Sequence, residues 1–321
     1  MTPALADANN GNWQTAHRWC RMLAGAYRVR LASKWEAGEE AVMIALHARR
    51  SAASVAQWRS QRRSAPLVVV LTGTDLYRDV AGDASAQASL QAADRLIVLN
   101  QLGAAALPAS LQPKARVVLQ SCAARQTLPR TPQHLRALMV GHLRPEKSPQ
   151  TYFDAARLLA GRPDIRLDHI GAALDPALGE QAMALMAEYP RYRWLGGLVH
   201  GVTRRRIQAA HVLVHPSRME GGAHVVMEAV RSGTPVLASR IDGNVGLLGT
   251  RYDGYFPLGD AAVLATQLQR LRDEPTMLAH LQRQCDERGP LFDPTRESAT
   301  LHALIGEMLE TQTPLTTRDT P

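Results

Sequence analysis

The chain has 321 residues, 45% of them hydrophobic, and a formal net charge of +8 at pH 7. This length predicts two domains of about 150 residues each. The charge alone would suit a nucleic acid, but only three of the 37 basic residues are lysines and the arginines are scattered. Aromatic residues make up 5% of the chain and do not alternate with the arginines. The composition therefore predicts no nucleic-acid partner.

The three cysteines, Cys20, Cys122 and Cys285, lie far apart in the sequence and form no Cys-x-x-Cys pair. Neither a disulfide framework nor a zinc site follows from them. No apolar run is long enough to span a bilayer, and no signal-peptide pattern opens the chain. The sequence predicts a cytoplasmic protein without stable membrane insertion.

Strand-like and helix-like stretches alternate through the first half of the chain. Strands are predicted at residues 27–32, 41–47, 66–72, 95–100 and 116–121. Helices are predicted between them at residues 13–23, 48–62 and 84–92. Residues 68–71 are apolar at consecutive positions, as a strand covered on both faces requires. The polar stretch 123–133, which carries prolines, is the predicted linker.

The alternation then restarts. Strands are predicted at residues 136–141, 165–171, 193–195, 211–215 and 235–238. Helices are predicted at residues 150–160, 177–188, 203–209, 223–232, 261–273, 276–288 and 295–311, with a glycine-rich loop at 243–249.

This order predicts an α/β fold of two Rossmann-like domains with doubly wound parallel sheets facing a central cleft, at residues 1–130 and 136–290. Residues 291–312 are expected to form a helix that packs back on the first domain, and residues 313–321 to be a disordered tail. A strand should precede the glycine loop 9–12, but Pro3 disfavours one in residues 1–8. Either the domain is missing its first strand or the true start lies upstream, and we expect the second.

The most informative stretch is residues 217–229, in which Glu220 and Glu228 flank a Gly-Gly turn. A short apolar strand precedes the turn and a helix-like run follows it. A strand, a glycine turn and a helix start place free N–H groups and a positive dipole end at one point, which suits a phosphate. Two carboxylates on either side of a bound pyrophosphate would reach hydroxyl groups, so this stretch predicts a nucleotide-sugar site.

Two other turns follow predicted strands of the second half. Residues 140–147 carry Arg144 and Lys147, which can neutralise a diphosphate leaving group. Gly197 and Leu198 lie in a glycine turn whose bare backbone would admit a flat base. Taken alone, each also fits an ordinary strand-to-helix turn. There is no Asp-x-Asp pair and no metal-ligand cluster in the sequence, so we expect no metal and no cofactor.

Two turns of the first half carry groups suited to binding an anion. Residues 71–79 include Thr74, Asp75 and Arg78 after a buried strand, although Thr74 or Asp75 would equally serve as a helix N-cap. Residues 46–50 include His47, Arg49 and Arg50, where the histidine fits a structural residue as well. These six residues are predicted to line a substrate cleft that can receive an anion.

The Glu-x7-Glu segment, the Gly-x-Leu-Arg-x-x-Lys turn and the two-half layout resemble glycosyltransferase family four, which has the GT-B fold. The resemblance covers mainly residues 136–288 and implies that Glu220, Arg144 and Lys147 are catalytic and that Glu228 holds the ribose. His142 stands where the family has arginine. The implied donor-binding residues are Gly221, Gly222, Ala223, His224, Glu228, Gly197, Leu198, Gly11 and Asn12.

Residues 2–13, 45–51, 71–79 and 219–224 resemble the selenosugar synthase family of selenoneine biosynthesis, a match that extends over nearly the whole chain. It implies transfer of a sugar from UDP-glucose or UDP-N-acetylglucosamine to selenophosphate, with a bond from selenium to C1. Selenophosphate is an anion with a soft nucleophile, so it needs positive charge more than a strong base. The resemblance therefore implies that the six cleft residues of the first half, His47, Arg49, Arg50, Thr74, Asp75 and Arg78, form the acceptor-binding set, and its arginines would supply that charge.

Other functions remain open at the level of sequence. A family-four transferase acting on a hydroxyl acceptor would need a general base and an apolar entry surface. A catalytically dead nucleotide-sugar binding protein would keep the donor residues without turnover, and an epimerase of the same fold is a remote option. No protein partner follows from the sequence.

Overall fold

The structure is a computed structural model, and it describes residues 1–3 and 11–310. The predicted tail at 313–321, the end of the predicted last helix and residues 9–10 of the predicted glycine loop lie outside the described residues. The chain divides into two compact units. One unit contains Met1–Gln120 and the segment that starts at Pro294, and the other is Ser121–Asp293.

The first unit contains a parallel sheet with helices on both faces. Its strands, in the order in which they lie side by side, are β1 Met43–Leu46, β2 Leu67–Leu71, β3 Arg95–Val98 and β4 Ala115–Val117. Its helices are Gly11–Leu23, Ala52–Gln61, Val80–Gly82, Ala84–Ala92 and Pro294–Glu310, with a π-helical turn at Asp75–Asp79.

β2 explains why the sheet is covered on both faces. All five of its residues are apolar and buried. Because successive side chains of a strand point to opposite faces, Val69 joins a core with Trp58, whereas Val68 joins a second core with Trp19. The prediction of a doubly covered strand at 68–71 is confirmed.

The helix Pro294–Glu310 packs on the first unit through an apolar stripe and one buried carboxylate. Leu301 and Ile305 enter the core that contains Trp19. Glu297 is buried, and it accepts hydrogen bonds from Arg18 Nε at 3.0 Å and from Trp19 Nε1 at 2.6 Å. A carboxylate taken out of water needs such partners, so Glu297 fixes the register of the helix.

The variant Glu297→Ala should be clearly less stable than the wild type. It leaves the guanidinium of Arg18 and the indole N–H of Trp19 without this acceptor, so we expect the free energy of unfolding to fall by about 2–4 kcal/mol. Urea denaturation followed by circular dichroism measures this. The control is Glu307→Ala on the same helix, whose exposed pair with Arg95 should contribute at most about 1 kcal/mol. If both variants lose the same free energy of unfolding, Glu297 does not hold the helix in place.

The second unit contains a six-stranded parallel sheet. Its strands are β5 Leu135–Val140, β6 Ile165–Ile170, β7 Tyr192–Trp194, β8 Val212–His215, β9 Val236–Ser239 and β10 Tyr255–Phe256, in the spatial order β10-β9-β8-β5-β6-β7. Its helices are Pro149–Leu158, Pro176–Glu188, His200–Ala209, His224–Val230, Asp242–Leu248, Ala261–Asp273 and Pro275–Arg288. The chain adds β6 and β7 on one side of β5 and then β8, β9 and β10 on the other. The order therefore reverses between β5 and β8, as a doubly wound sheet requires.

Three local expectations differ from the structure. Residues 27–32 form no strand, because no neighbouring strand pairs with them among the described residues. Residues 123–133 belong to the second unit, because Arg125 and Leu128 donate backbone hydrogen bonds to Arg231 and Gln208 of that unit. The predicted glycine-rich loop 243–249 is instead largely a helix, Asp242–Leu248. No helix in the described part of the chain is both long and apolar enough to cross a bilayer.

Candidate functional site

The loops that follow β5 and β8 meet at the point where the order of the second sheet reverses. β5 leads into the 3-10 turn Pro145–Lys147, and β8 leads into residues 216–223. The backbone N–H of Arg218 donates to the carbonyl of Glu146 at 2.9 Å, so the two loops are joined directly. In open α/β sheets, ligands bind outside the carboxyl ends of the strands at such a reversal.

Glu220 and Lys147 form an ion pair across these loops. Lys147 Nζ donates to Glu220 Oε1 at 2.6 Å, and His215 Nε2 lies 3.2 Å from the same oxygen. Burial alone would raise the pKa of Glu220, but the Lys147 ammonium and the His215 imidazole outweigh it and hold that pKa well below its usual range. The carboxylate is therefore ionised at neutral pH, and it can accept hydrogen bonds from hydroxyl groups beside a positive charge suited to an anion.

His215 is a site residue that the sequence analysis treated only as the end of a strand. It is the last residue of β8 and is almost completely buried. The only signal in the sequence was its position at the carboxyl end of an apolar strand, where side chains reach the ligand-binding edge.

Arg144 and His142 complete the turn after β5. Arg144 Nε is buried and has no hydrogen-bond partner among the described residues. His142 Nδ1 accepts from the backbone N–H of Ala172 at 3.1 Å. Burial, with the charges of Arg144 and Lys147, lowers the pKa of His142 and favours its neutral form. The positive charge of this turn therefore comes from Arg144 and Lys147.

The turn after β5 is held from inside the sheet by His169, a second residue that the sequence analysis missed. His169 Nε2 donates to the Gly141 carbonyl at 3.0 Å, and its Nδ1 lies 3.1 Å from the Tyr192 hydroxyl. Burial lowers the pKa of His169 to about 4, so the ring is neutral at pH 7. A Cβ on Gly171 would lie 1.9 Å from the Gly141 oxygen, so this close approach of β5 and β6 requires glycine.

Glu228 forms a second polar cluster on the helix His224–Val230. Its Oε1 lies 2.6 Å from His200 Nε2, 3.4 Å from His224 Nδ1 and 3.5 Å from Arg204 Nη1. Burial alone would raise the pKa of Glu228, but hydrogen bonds from the two histidines, with the Arg204 charge, lower it to about 2. The other ring nitrogen of His224, Nε2, lies 3.1 Å from the Ser121 carbonyl oxygen.

The remaining donor-binding candidates lie in three places. Gly221, Gly222 and Ala223 form the turn before the helix His224–Val230, which has only seven residues, and Ala223 is buried. Gly197 and Leu198 follow β7, two strands away from β5. Gly11 and Asn12 are in the first unit, where they begin the helix Gly11–Leu23. The structure thus pairs Glu220 with Lys147 directly, and Arg144 lies on the same turn as Lys147.

In the first unit, Asp75 ties the two predicted acceptor loops together. Its Oδ2 accepts from the backbone N–H of Ala48 at 3.0 Å, and its Oδ1 accepts from those of Thr72 and Gly73 at 2.8 and 2.9 Å. The Asp75 side chain is fully buried. Asp75 therefore holds the two loops together. Its side chain is not exposed, so its carboxylate oxygens are not open to an acceptor.

His47 lies on the first of these loops and has a positive φ of 71°, which is uncommon for a residue other than glycine. Its Nε2 is 3.2 Å from Thr74 Oγ1 and 3.9 Å from Asp79 Oδ2. Burial is the largest of the causes that lower the pKa of His47, which favours the neutral ring. Such strained residues cluster at sites where the surrounding structure holds them in place for a purpose.

Three arginines surround His47 on the outside. Arg49 Nε lies 3.1 Å from Asp79 Oδ2, and Arg78 Nε donates to Asp79 Oδ1 at 3.1 Å. Arg50 is exposed on the same loop as Arg49. Two of these guanidinium groups thus share the Asp79 carboxylate, and the third adds positive charge to the same surface.

A sequence profile of the family described as glycosyl transferases group 1 matches residues 123–291, more than half of the chain. The chain belongs to this family. It is 31% identical over 200 residues to D-inositol 3-phosphate glycosyltransferase of Streptomyces avermitilis, covering 58% of this chain and 43% of the relative. The enzyme of the same name from Corynebacterium glutamicum is 33% identical over 150 residues, covering 43% of this chain and 36% of the relative. The chain therefore spans less than half the length of these relatives.

Solved structures share the fold across most of the chain. Sucrose-phosphate synthase from Thermosynechococcus elongatus has a TM-score of 0.70 and 21% identity, covering 84% of this chain and 74% of that one. Anabaena Alr3699/HepE in complex with UDP and glucose has a TM-score of 0.68 and 17% identity, covering 83% and 77%. The predicted GT-B fold class, with two parallel-sheet α/β domains, is confirmed.

The metal-free chemistry expected from the sequence stays a prediction. Within residues 1–3 and 11–310, no three His, Cys, Asp or Glu side chains are grouped closely enough to hold a metal ion. The positive group beside Glu220 is the side chain of Lys147, and Arg144 lies three residues before Lys147 on the same turn. Charge on a leaving group would be met by these two residues if no metal ion binds.

Proposed function

We propose that the protein transfers a sugar from a UDP-sugar to selenophosphate without a metal ion. The observation that carries the donor half is the Lys147–Glu220 pair at the reversal point of the second sheet, in a chain of this family. Selenium would attack C1 of the sugar. The bond from C1 to the diphosphate oxygen breaks, and UDP leaves with its electron pair.

For each part of a UDP-sugar, the second unit has a side chain that could bind it. Lys147 and Arg144 would offset the charge that grows on the diphosphate, a preorganised contribution that needs no rearrangement during reaction. Ionised Glu220 would accept hydrogen bonds from sugar hydroxyls, and Glu228 from those of the ribose. That Alr3699/HepE was crystallised with UDP-glucose supports UDP-glucose as a donor to test.

The acceptor half of the proposal rests on the first unit and on the resemblance to selenosugar synthases. Arg49, Arg50 and Arg78 present positive charge around the loop that holds His47. An anionic acceptor with a soft nucleophile requires charge neutralisation and positioning more than proton removal. This pattern supports selenophosphate as the acceptor.

A second candidate function is transfer to a hydroxyl group, which His47 favours. Asp75 and Asp79 place carboxylate oxygens 3.8 and 3.9 Å from its ring nitrogens. A neutral histidine beside a carboxylate can act as a general base toward a hydroxyl. The two candidates therefore differ in the acceptor and share the donor.

UDP release from UDP-glucose and from UDP-N-acetylglucosamine, with and without selenophosphate, tests the proposal. We expect release to depend on selenophosphate and the product to contain a carbon–selenium bond by mass spectrometry. D-inositol 3-phosphate is the comparison acceptor, because two relatives carry its name. Release that depends on a hydroxyl acceptor and not on selenophosphate would favour the second candidate, and binding without turnover would favour a nucleotide-sugar binding protein.

Arg78→Ala should impair the use of the acceptor more than that of the donor. Removing one exposed guanidinium from the loop should raise KM for selenophosphate about tenfold, the effect of one charge-assisted hydrogen bond, and leave KM for UDP-sugar within about twofold. Steady-state kinetics with each substrate varied in turn measures both values. The control is Arg116→Ala, a similarly exposed arginine paired with Glu307. An effect confined to the donor would contradict the assignment of Arg78.

A further inference from the structure

One neighbour of Glu228, His200, has no role in the contacts proposed above for the UDP-sugar. Its carboxylate is only 5% exposed, whereas the His200 side chain, which supplies the shortest contact to it at 2.6 Å, is 70% exposed. His200 is the first residue of the helix His200–Ala209, which follows the turn after β7. A solvent-exposed side chain thus reaches inward and covers a nearly buried carboxylate.

The inner partners of Glu228 are fixed in place. Arg204 is buried, and its Nη2 donates to the Ala123 carbonyl at 3.1 Å and lies 3.3 Å from Ser232 Oγ. His224 is held by the Ser121 carbonyl. These contacts keep the carboxylate in position from inside the unit, so a ligand that approaches from solvent meets His200 first.

His200 has the shortest of the three contacts to Glu228 Oε1. Its Nε2 lies 2.6 Å from this oxygen, at hydrogen-bond distance, whereas His224 Nδ1 and Arg204 Nη1 lie 3.4 and 3.5 Å away. A hydroxyl group that binds this oxygen from the solvent side must therefore replace His200. His200 is the partner whose side chain is most exposed, so it is the one that can leave at the lowest cost in buried contacts.

We propose that His200 competes with the ribose hydroxyls for Glu228 and swings away when the donor nucleotide binds. The inference rests on the proposed function, which assigns the ribose to Glu228. His200 is then a specificity-determining residue. A nucleotide with a ribose diol can replace the imidazole at the carboxylate, whereas a nucleotide without hydroxyls must leave His200 in place.

Calorimetric binding of UDP and of 2′,3′-dideoxy-UDP to the wild type and to His200→Ala tests this inference. Removal of the competing imidazole should tighten UDP binding about fivefold, the size expected for one exposed charge-assisted contact. Binding of 2′,3′-dideoxy-UDP should not change. The control is His280→Ala, since His280 forms a similar exposed pair with Asp253, 2.7 Å apart, in the same unit. It should leave both ligands unaffected.

The outcomes separate the inference from the function on which it rests. If the wild type binds UDP but His200→Ala binds it equally well or more weakly, His200 does not compete with the ribose and the inference is wrong. An equal gain for both nucleotides would also overturn it, because the effect would then not depend on the hydroxyls. If the wild type binds no UDP, the proposed donor is wrong and the inference fails with it.

Discussion

Lys147→Ala should reduce kcat by about 100- to 1000-fold, the loss seen when one preorganised group is removed from a developing negative charge. Lys147 is the ammonium closest to Glu220, at 2.6 Å, and sits on the turn that ends β5. The developing charge on the diphosphate oxygen would lose this group at the moment of bond breaking. Because the interaction strengthens as charge develops, kcat should fall more than KM for UDP-sugar rises.

A second effect of Lys147→Ala concerns Glu220. Without the ammonium, His215 is the remaining side chain close to that carboxylate among the contacts described above, and burial should raise the pKa of Glu220. The kcat of the variant should therefore fall further as the pH is lowered and Glu220 becomes protonated. The kcat of the wild type should show no decrease from protonation of Glu220 near neutral pH. A pH profile of kcat measures this.

Controls separate chemistry from folding. Lys147→Arg keeps a positive charge and should retain more activity than Lys147→Ala, although the planar guanidinium does not reproduce the ammonium geometry. Lys114→Ala removes a lysine that binds only backbone carbonyls of Gln91 and Ala93 in the contacts described, and should leave kcat unchanged. If Lys147→Ala keeps full kcat with a normal melting temperature, Lys147 does not stabilise the leaving group.

Local patterns in the sequence were sufficient to predict most of the regular structure. Consecutive apolar residues predicted β2, and the helix at 261–273 was predicted with the bounds that the structure has. Residues 27–32 show the limit of such patterns. They alternate in polarity as a strand does, but a strand also needs a neighbour to pair with, which a local pattern does not reveal.

The site was only partly predictable because its residues come from distant segments. Glu220 and Lys147 carried recognisable motifs, so their meeting could be expected from the order of the strands. His169, His215 and His200 have no motif, and each gains its role from a contact made in the folded chain. Conversely, Asp75 lies in a recognisable motif, yet its carboxylate is used by backbone N–H groups.

Gly243→Ala should impair turnover through a single methyl group. An added Cβ would lie 2.0 Å from the Glu220 carbonyl oxygen and 3.1 Å from Glu220 Cβ, distances that backbone atoms cannot accommodate without moving. The helix Asp242–Leu248 and the loop that carries Glu220 must therefore separate, which displaces the carboxylate from Lys147. We expect kcat to fall by about 10- to 100-fold, as for a misplacement of about 1 Å, and unfolding to become easier by about 1–3 kcal/mol.

The glycines of residues 243–249 predicted a loop, although most of these residues are helical. Glycine is unfavourable within a helix by up to about 1 kcal/mol, so its presence at position 243 needs a reason other than local structure. The close approach to Glu220 supplies that reason. The control is Gly306→Ala in the helix Pro294–Glu310, where an added Cβ meets no atom within 4 Å. It should leave kcat unchanged and raise stability by about 0.5–1 kcal/mol. If Gly243→Ala behaves like this control, the placement of Glu220 does not depend on the contact with Gly243.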